Sequence, residues 1–178
     1  ALETSELFRN FKPDLVISNN DFSNPYTEWS ESLKWPLNPP LELGWYQRKK
    51  SNYFKHYNQL VHEFAQVADL DPFYLSVETE YFPHFEIGSE ESRKELASKV
   101  DAMIMRLKET YQKRGIQQEP FVFVKNNSGT YGLAVIRVSS GAEVLEWSYK
   151  SRKKMKAAKG GRDVEEVIIQ EGVPSIVK

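Results

Sequence analysis

Cysteine is absent from the 178 residues, which excludes a disulfide framework, thiol catalysis and thiolate metal sites, and fits a reducing compartment such as the cytoplasm. Histidine is scarce, with His56, His62 and His84 the only three. The polar cluster Glu78, Glu80, His84 and Glu86 lies on an aromatic, proline-containing stretch without a spacing such as His-x-x-x-His, so a histidine metal centre is not expected. No apolar run approaches the roughly 20 residues of a membrane helix, and the opening ALETSELFRN lacks the basic-then-apolar order of a signal peptide. Neither sign of charge dominates: 24 Lys and Arg against 25 Asp and Glu leave a net charge of −1. Whole-molecule attraction to nucleic acid or to acidic membranes is therefore not expected, and any anion site must be local. What is present, 40% hydrophobic and 28% charged residues, suits one domain or two small ones with a real core.

The most informative stretch is residues 121–135, FVFVKNNSGTYGLAV. FVFVK has the β-branched and aromatic character of a buried strand, and GLAVIRV has the same character beyond the loop, so the pair reads as a hairpin. Asn127, Ser128, Gly129 and Thr130 can present successive backbone N–H groups, because Gly129 and Gly132 permit φ > 0 and small side chains admit a close approach. Such a loop can cradle an anion, and Lys125 at its entrance can meet a phosphate as a point charge. The same residues also make an ordinary hairpin turn with a solvated lysine. Neither the Walker A spacing nor the dinucleotide G-x-G-x-x-G is present.

Residues 14–18 read as a short strand that opens into Asn19, Asn20 and Asp21, either a ligand-holding loop at a strand end or a plain Asx-rich turn. Residues 26–43 carry Trp29, Trp35 and three prolines without a period. A helix is predicted from about residue 52 to 68, with Ser51 as N-cap and Phe54, Tyr57, Val61, Phe64 and Ala68 on one face. Arg48, Lys49 and Lys50 precede it, where cations oppose the helix dipole; a bound phosphate would resolve the conflict, and a solvated basic turn is the alternative. Residues 73–77 are a candidate strand. Ser92 and Glu95 form a capping box for the longest helix, through residue 114, with Leu96, Val100, Met103, Ile104, Leu107 and Tyr111 as its stripe and Gly115 closing it. Ser140 and Glu143 open a third helix to about residue 158. Its tail, residues 150–162, holds seven basic residues and no acidic one, which reads as a nucleic-acid surface or as a solvated face. Residues 164–170 form a strand that Gln170, Glu171, Gly172, Val173 and Pro174 end, a hinge whose backbone groups suit the edge of an adenine ring. The chain stops just after it, which reads as a fragment. The fold class expected is α/β (α+β): an antiparallel hairpin plus a strand packed on helices, preceded by part of an open α/β domain.

The order of these parts resembles the ATP-grasp fold. More closely, VKNNSGTYG, GWYQ with RKKSNYF, SNNDFS, EPFVFVK and VIIQEGVP resemble the proteobacterial type of glutamate-cysteine ligase, from about residue 14 to 174. The resemblance implies three regions: residues 1–50 as the end of an N-terminal pre-ATP-grasp-like region, 51–118 as a helical linker, and 119–178 as the small ATP-grasp subdomain. It implies ATP as cofactor, with Lys125 on the α/β phosphates and Ser128, Gly129, Thr130, Tyr131 and Gly132 closing over the triphosphate. Lys50 would be the first phosphate-contacting lysine, ahead of Arg48 or Lys49, and Gln170, Glu171 and Val173 the adenine hinge. Asn19, Asn20 and Asp21 match a family motif without an assigned role, and with Arg48 they are the candidate substrate contacts. The family usually has a Met-Gly pair after GTYG, where this chain has Leu133 and Ala134. The Mg²⁺ ligands are expected beyond Lys178, so the chain by itself is expected to be inactive. The small molecules implied are ATP, glutamate and cysteine. A nucleotide-binding module that performs no ligation is the alternative, a basic-helix nucleic-acid binder a third, and self-association stays open.

Overall fold

The computed structural model describes residues 11–128, 132, 134–156 and 164–174. Its contacts divide the chain into two compact units, Ala1–Arg48 and Lys49–Lys178.

In the first unit, β1 (Val16–Ile17) pairs in parallel with β2 (Leu37–Asn38), and α1 (Thr27–Ser32) lies between them in sequence. The strand expected at residues 14–18 is thus present but short. Among its described residues Phe22 and Leu41 are the buried apolar ones, and the ring of Phe22, 3% exposed, meets those of Tyr26 and Trp29 at centroid distances of 6.1 and 6.0 Å. Two backbone hydrogen bonds, from Trp45 N to Asp21 O and from Tyr46 N to Phe22 O, tie this turn to the end of the unit.

The second unit is a four-stranded antiparallel sheet with a helix across one face. Its strands are β3 (Thr79–Phe82), β4 (Val122–Asn126), β5 (Val135–Val138) and β6 (Val167–Glu171), in the order β3-β6-β4-β5. The helices are α2 (Lys50–Ala68), α3 (Glu90–Lys113), α4 (Gly141–Leu145) and α5 (Tyr149–Lys156). The fold is therefore mixed α/β, with a parallel strand pair and an antiparallel sheet among the described residues.

Side chains alternate across a strand, and register then sorts the sheet into two faces. Val122, Val124, Val138, Phe82, Val167 and Ile169 share one face and form the core with the stripe of α3, Leu96, Val100, Met103, Ile104, Leu107 and Tyr111, all buried as the period predicts. Each such side chain contributes about 1.5–3 kcal/mol by leaving water. Thr79, Tyr81, Phe123, Lys125, Ile168 and Gln170 share the other face.

Four local expectations change. The cap of α3 is Ser89, not Ser92: Ser89 Oγ accepts from Ser92 N at 3.2 Å, while Ser92 Oγ accepts from Glu86 N. Residues 73–77 form no strand, because Asp71 caps a 3-10 turn at Pro72–Tyr74 through Phe73 N; the strand is β3, directly after it. The third helix breaks at Trp147, which is buried against Phe85, and Ser140 makes no side-chain cap. Gly141 instead donates to Asp101 Oδ1 at 2.6 Å, and a Cβ there would meet Ala97 O at 2.4 Å, so only glycine lets α4 approach α3 this closely. Finally, α2 begins at Lys50, and of its expected apolar face Val61 is buried whereas Phe64 is 59% exposed, alongside Tyr53, Leu60 and Val67.

Candidate functional site

Lys125 stands on the polar face of the sheet's second-to-last strand, one pleat from Phe123, with its ammonium 5.1 Å from that ring's centroid. Gln170, opposite Phe123 on β6, accepts from Lys125 Nζ through Oε1 at 2.5 Å. Its Nε2 donates to Thr79 Oγ1 at 2.9 Å, and Thr79 Oγ1 donates to Val77 O at 3.1 Å. A chain of hydrogen bonds across three strands thus fixes the ammonium. Burial pushes the Lys125 pKa below the ordinary lysine value, because desolvation disfavours the charged form. An anion placed here would offset that cost.

The loop's root is fixed from the opposite side. Asn127 O accepts from Lys50 N at 2.9 Å and Asn127 Oδ1 from Ser51 N at 2.8 Å, so Asn127 caps α2 from a distant part of the chain. Lys50 Nζ donates to Asn126 O at 2.7 Å, and Asn126 Oδ1 accepts from Ser128 N at 2.9 Å. The first two amides of α2 that a phosphate could have taken are held by Asn127 instead.

Glu166 completes this root. It accepts from Lys49 Nζ at 2.6 Å, from Tyr81 OH at 2.8 Å and from Asn127 Nδ2 at 3.2 Å. Burial alone would raise its carboxyl, yet the hydrogen bonds from Lys49, Tyr81 and Asn127 outweigh it and hold the pKa below the usual glutamate value. The charge conflict at the start of α2 is thus met for Lys49 by a carboxylate of the chain itself. Neither the capping role of Asn127 nor the part played by Glu166 carries a local signal in the sequence, since both act across more than 35 residues.

Of the loop, Gly132 has φ +69°, as a glycine there permits. Gly129, Thr130 and Tyr131 lie outside the described residues. Ala134, buried, has φ +49° and accepts from Asn126 N at 2.9 Å. At the strand end, the Glu171 carboxylate turns to the core face, where it accepts from Tyr111 OH at 2.9 Å and Glu78 N at 3.2 Å. Burial first, and then this hydrogen bond, raise the Tyr111 pKa. The N–H groups of Glu171 and Gly172 donate to Glu78 O and Phe121 O, and Val173 beyond them is 63% exposed.

In the first unit, Asn20 Oδ1 accepts from Phe22 N at 2.8 Å and Asp21 Oδ1 from Ser23 Oγ at 3.0 Å. Ser18, Asn19, Asn20 and Asp21 line a hollow of about 560 Å³. Arg48 places its guanidinium 5.2 Å from the ring centroid of Trp45. These residues belong to a different unit from Lys125. Of the basic tail, residues 157–163 lie outside the described residues, and Met155 within α5 is buried. Among the described residues no group of three His, Asp or Glu side chains could hold a metal ion, and no helix is long and apolar enough to cross a membrane.

The family model GshA, glutamate-cysteine ligase, matches residues 3–178. Among solved structures, the chain is similar to the "Putative gamma-glutamylcysteine synthetase" of Methylobacillus flagellatus KT, with 38% identity and a TM-score of 0.76. That match covers 92% of this chain and 39% of the other, so the chain spans about two fifths of its relative's length. A search among curated proteins gives no match.

Proposed function

Because the chain belongs to the glutamate-cysteine ligase family, we propose that it supplies the ATP-holding part of a ligase that joins the γ-carboxyl of glutamate to the amine of cysteine. The observation that carries this reading is Lys125: a half-buried ammonium, oriented by Gln170, at the foot of the hairpin loop. In the reaction, a γ-carboxylate oxygen of glutamate attacks the γ-phosphorus of ATP and ADP leaves. The cysteine nitrogen then attacks the acyl carbon, phosphate departs, and the amine loses a proton.

In this reading Lys125, with Lys50 at the loop root, neutralises charge on the phosphates, a positioning and electrostatic role. The loop through Ser128, Gly129, Thr130, Tyr131 and Gly132 covers them, and the backbone near Gln170, Glu171 and Val173 reads adenine. Residues 119–178 act as the small subdomain of an ATP-grasp-like fold, joined through 51–118 to the N-terminal region 1–50, in the cytoplasm. Mg²⁺, which such transfers ordinarily use, would supply neutralisation of phosphate charge; among the described residues no group of three His, Asp or Glu side chains could hold it.

A thermal-shift titration with ATP tests the reading. A ligand that binds only the folded state stabilises it by about 2.7 kcal/mol at a hundred times Kd. ATP is expected to raise Tm, and Lys125→Ala to remove the rise while leaving the unliganded Tm within a few degrees. An ATP shift that survives Lys125→Ala would overturn the assignment of the phosphate site.

A further inference from the structure

A cavity of about 560 Å³ opens between the first turns of α2 and the β3–β6 edge of the polar face, and none of the roles above uses it. Its size falls within the range of small-ligand pockets. Glu166 and Tyr81 lie on the sheet side, and Lys49, Ser51, Asn52 and Lys55 on the helix side.

The charges are unequal. Lys49 is paired with Glu166 at 2.6 Å, whereas Lys55, exposed on the rim, has no ion pair or hydrogen bond among the described residues. Two cations against one anion leave the cavity with a surplus of one positive charge. Glu166 nevertheless keeps capacity for a donor. A carboxylate offers about four lone-pair positions, and Lys49, Tyr81 and Asn127 occupy three. The site thus presents one acceptor for a cation and one unpaired cation for an anion.

We propose that this cavity holds an acidic α-amino acid, with its ammonium on Glu166 and its carboxylates toward Lys55 and the Ser51 and Asn52 side chains. Charge selects among the ligase's substrates: glutamate carries −1 and complements the surplus, while cysteine is a neutral zwitterion and does not. The cavity also adjoins the proposed phosphate site. Its lining residue Thr79 accepts from Gln170, which holds Lys125, and its lining residue Asn127 roots the loop. The identification as glutamate rests on the ligase reading; the preference for an acidic amino acid rests on the cavity alone.

The test is amide-resolved NMR titration of the chain with L-glutamate, L-cysteine, glutarate and ATP, the amino acids with and without saturating ATP. L-Glutamate is expected to shift the amides of Ser51, Asn52 and Tyr81 saturably, and more tightly than L-cysteine. Lys55→Ala is expected to weaken it about tenfold, the loss of one charge-assisted contact. Glutarate, which lacks the ammonium, should bind about tenfold more weakly than glutamate and be insensitive to Glu166→Gln. Lys55 is exposed, so its variant keeps the test valid if Glu166→Gln disturbs the fold. The inference is overturned if glutamate moves none of these amides with or without ATP, or if glutarate matches glutamate and Lys55→Ala changes nothing. ATP shifts around Lys125 report the nucleotide reading separately. Shifts from ATP without any from glutamate remove the cavity proposal alone, and the reverse removes the nucleotide proposal alone.

Discussion

Ile169 and Gln170 are neighbours on β6, both nearly inaccessible, yet they belong to opposite faces of the sheet. Ile169 faces α3 within the apolar core, 0% exposed, while Gln170 faces Lys125 and Thr79 and is 3% exposed. The same contrast runs along β4, where Val122 and Val124 face the core and Phe123 and Lys125 the polar side. One face is held by area removed from water, which is non-directional and tolerant of detail. The other is held by hydrogen bonds that specify where one ammonium sits. A strand of five residues thus serves the fold and the candidate site in alternation.

The comparison breaks most visibly at Ile169. Ile169→Ala deletes buried atoms from the core between the sheet and α3, and about 3 kcal/mol of unfolding free energy should be lost, read from urea midpoints at unchanged slope. The ATP-induced rise in Tm should persist at temperatures where the variant is still folded. Lys125→Ala should do the opposite, sparing stability and removing the ATP response. If Ile169→Ala instead abolished binding in a folded chain, the two faces would not be separable.

A smaller effect sharpens the polar side. Glu166 has its folded pKa depressed below 4.5, so its stabilisation is present above the unfolded value and is lost as pH falls through the lower, folded one. The parent chain should therefore lose stability on acidification below 4.5, and Glu166→Gln should lose less over the same interval while being less stable near neutrality. Urea unfolding at several pH values reads this directly. Parallel curves for the two proteins would show that the Lys49, Tyr81 and Asn127 contacts contribute no pH dependence. Glu80, whose carboxyl is also lowered although burial opposes it, through Lys99 and Arg106, remains in both proteins and cancels in the comparison.

What was legible in the sequence follows the same division. The α3 stripe, the hairpin strands and β6 were readable because a 3.6 or a two-residue period, or a run of β-branched residues, records burial locally. The edge strand β3 is not legible at its own position, since Pro72 and Asp71 shape a turn where apolar residues suggest a strand, and β3 is defined by pairing with β6 some 90 positions away: Thr79 faces Gln170. At the candidate site, Lys125 at the end of its strand and Gly132 within the loop are legible by position. Asn127 and Glu166 are not, because a cap supplied from 76 residues away and a carboxylate shared by three donors leave no pattern in either neighbourhood.

The finest distinction lies at Ala134, where the loop rejoins β5. Its φ of +49° is one that an L side chain adopts at a cost, about 1–2 kcal/mol by the clash between Cβ and the carbonyl. Its methyl, however, is fully buried in the core cluster, a contribution of about 0.8 kcal/mol. Glycine would also raise the entropy of the unfolded chain, worth about 0.4–1 kcal/mol. The terms nearly cancel, so Ala134→Gly should leave stability within about 1 kcal/mol of the parent by urea denaturation. If the loop covers the phosphates as proposed, the effect should fall there instead, because a glycine at its end widens the conformations open to it. The ATP-induced Tm shift should therefore grow while the unliganded Tm stays. A loss of more than about 2 kcal/mol would mean that the methyl's packing outweighs its strain, and that Ala134 belongs to the core face rather than to the loop.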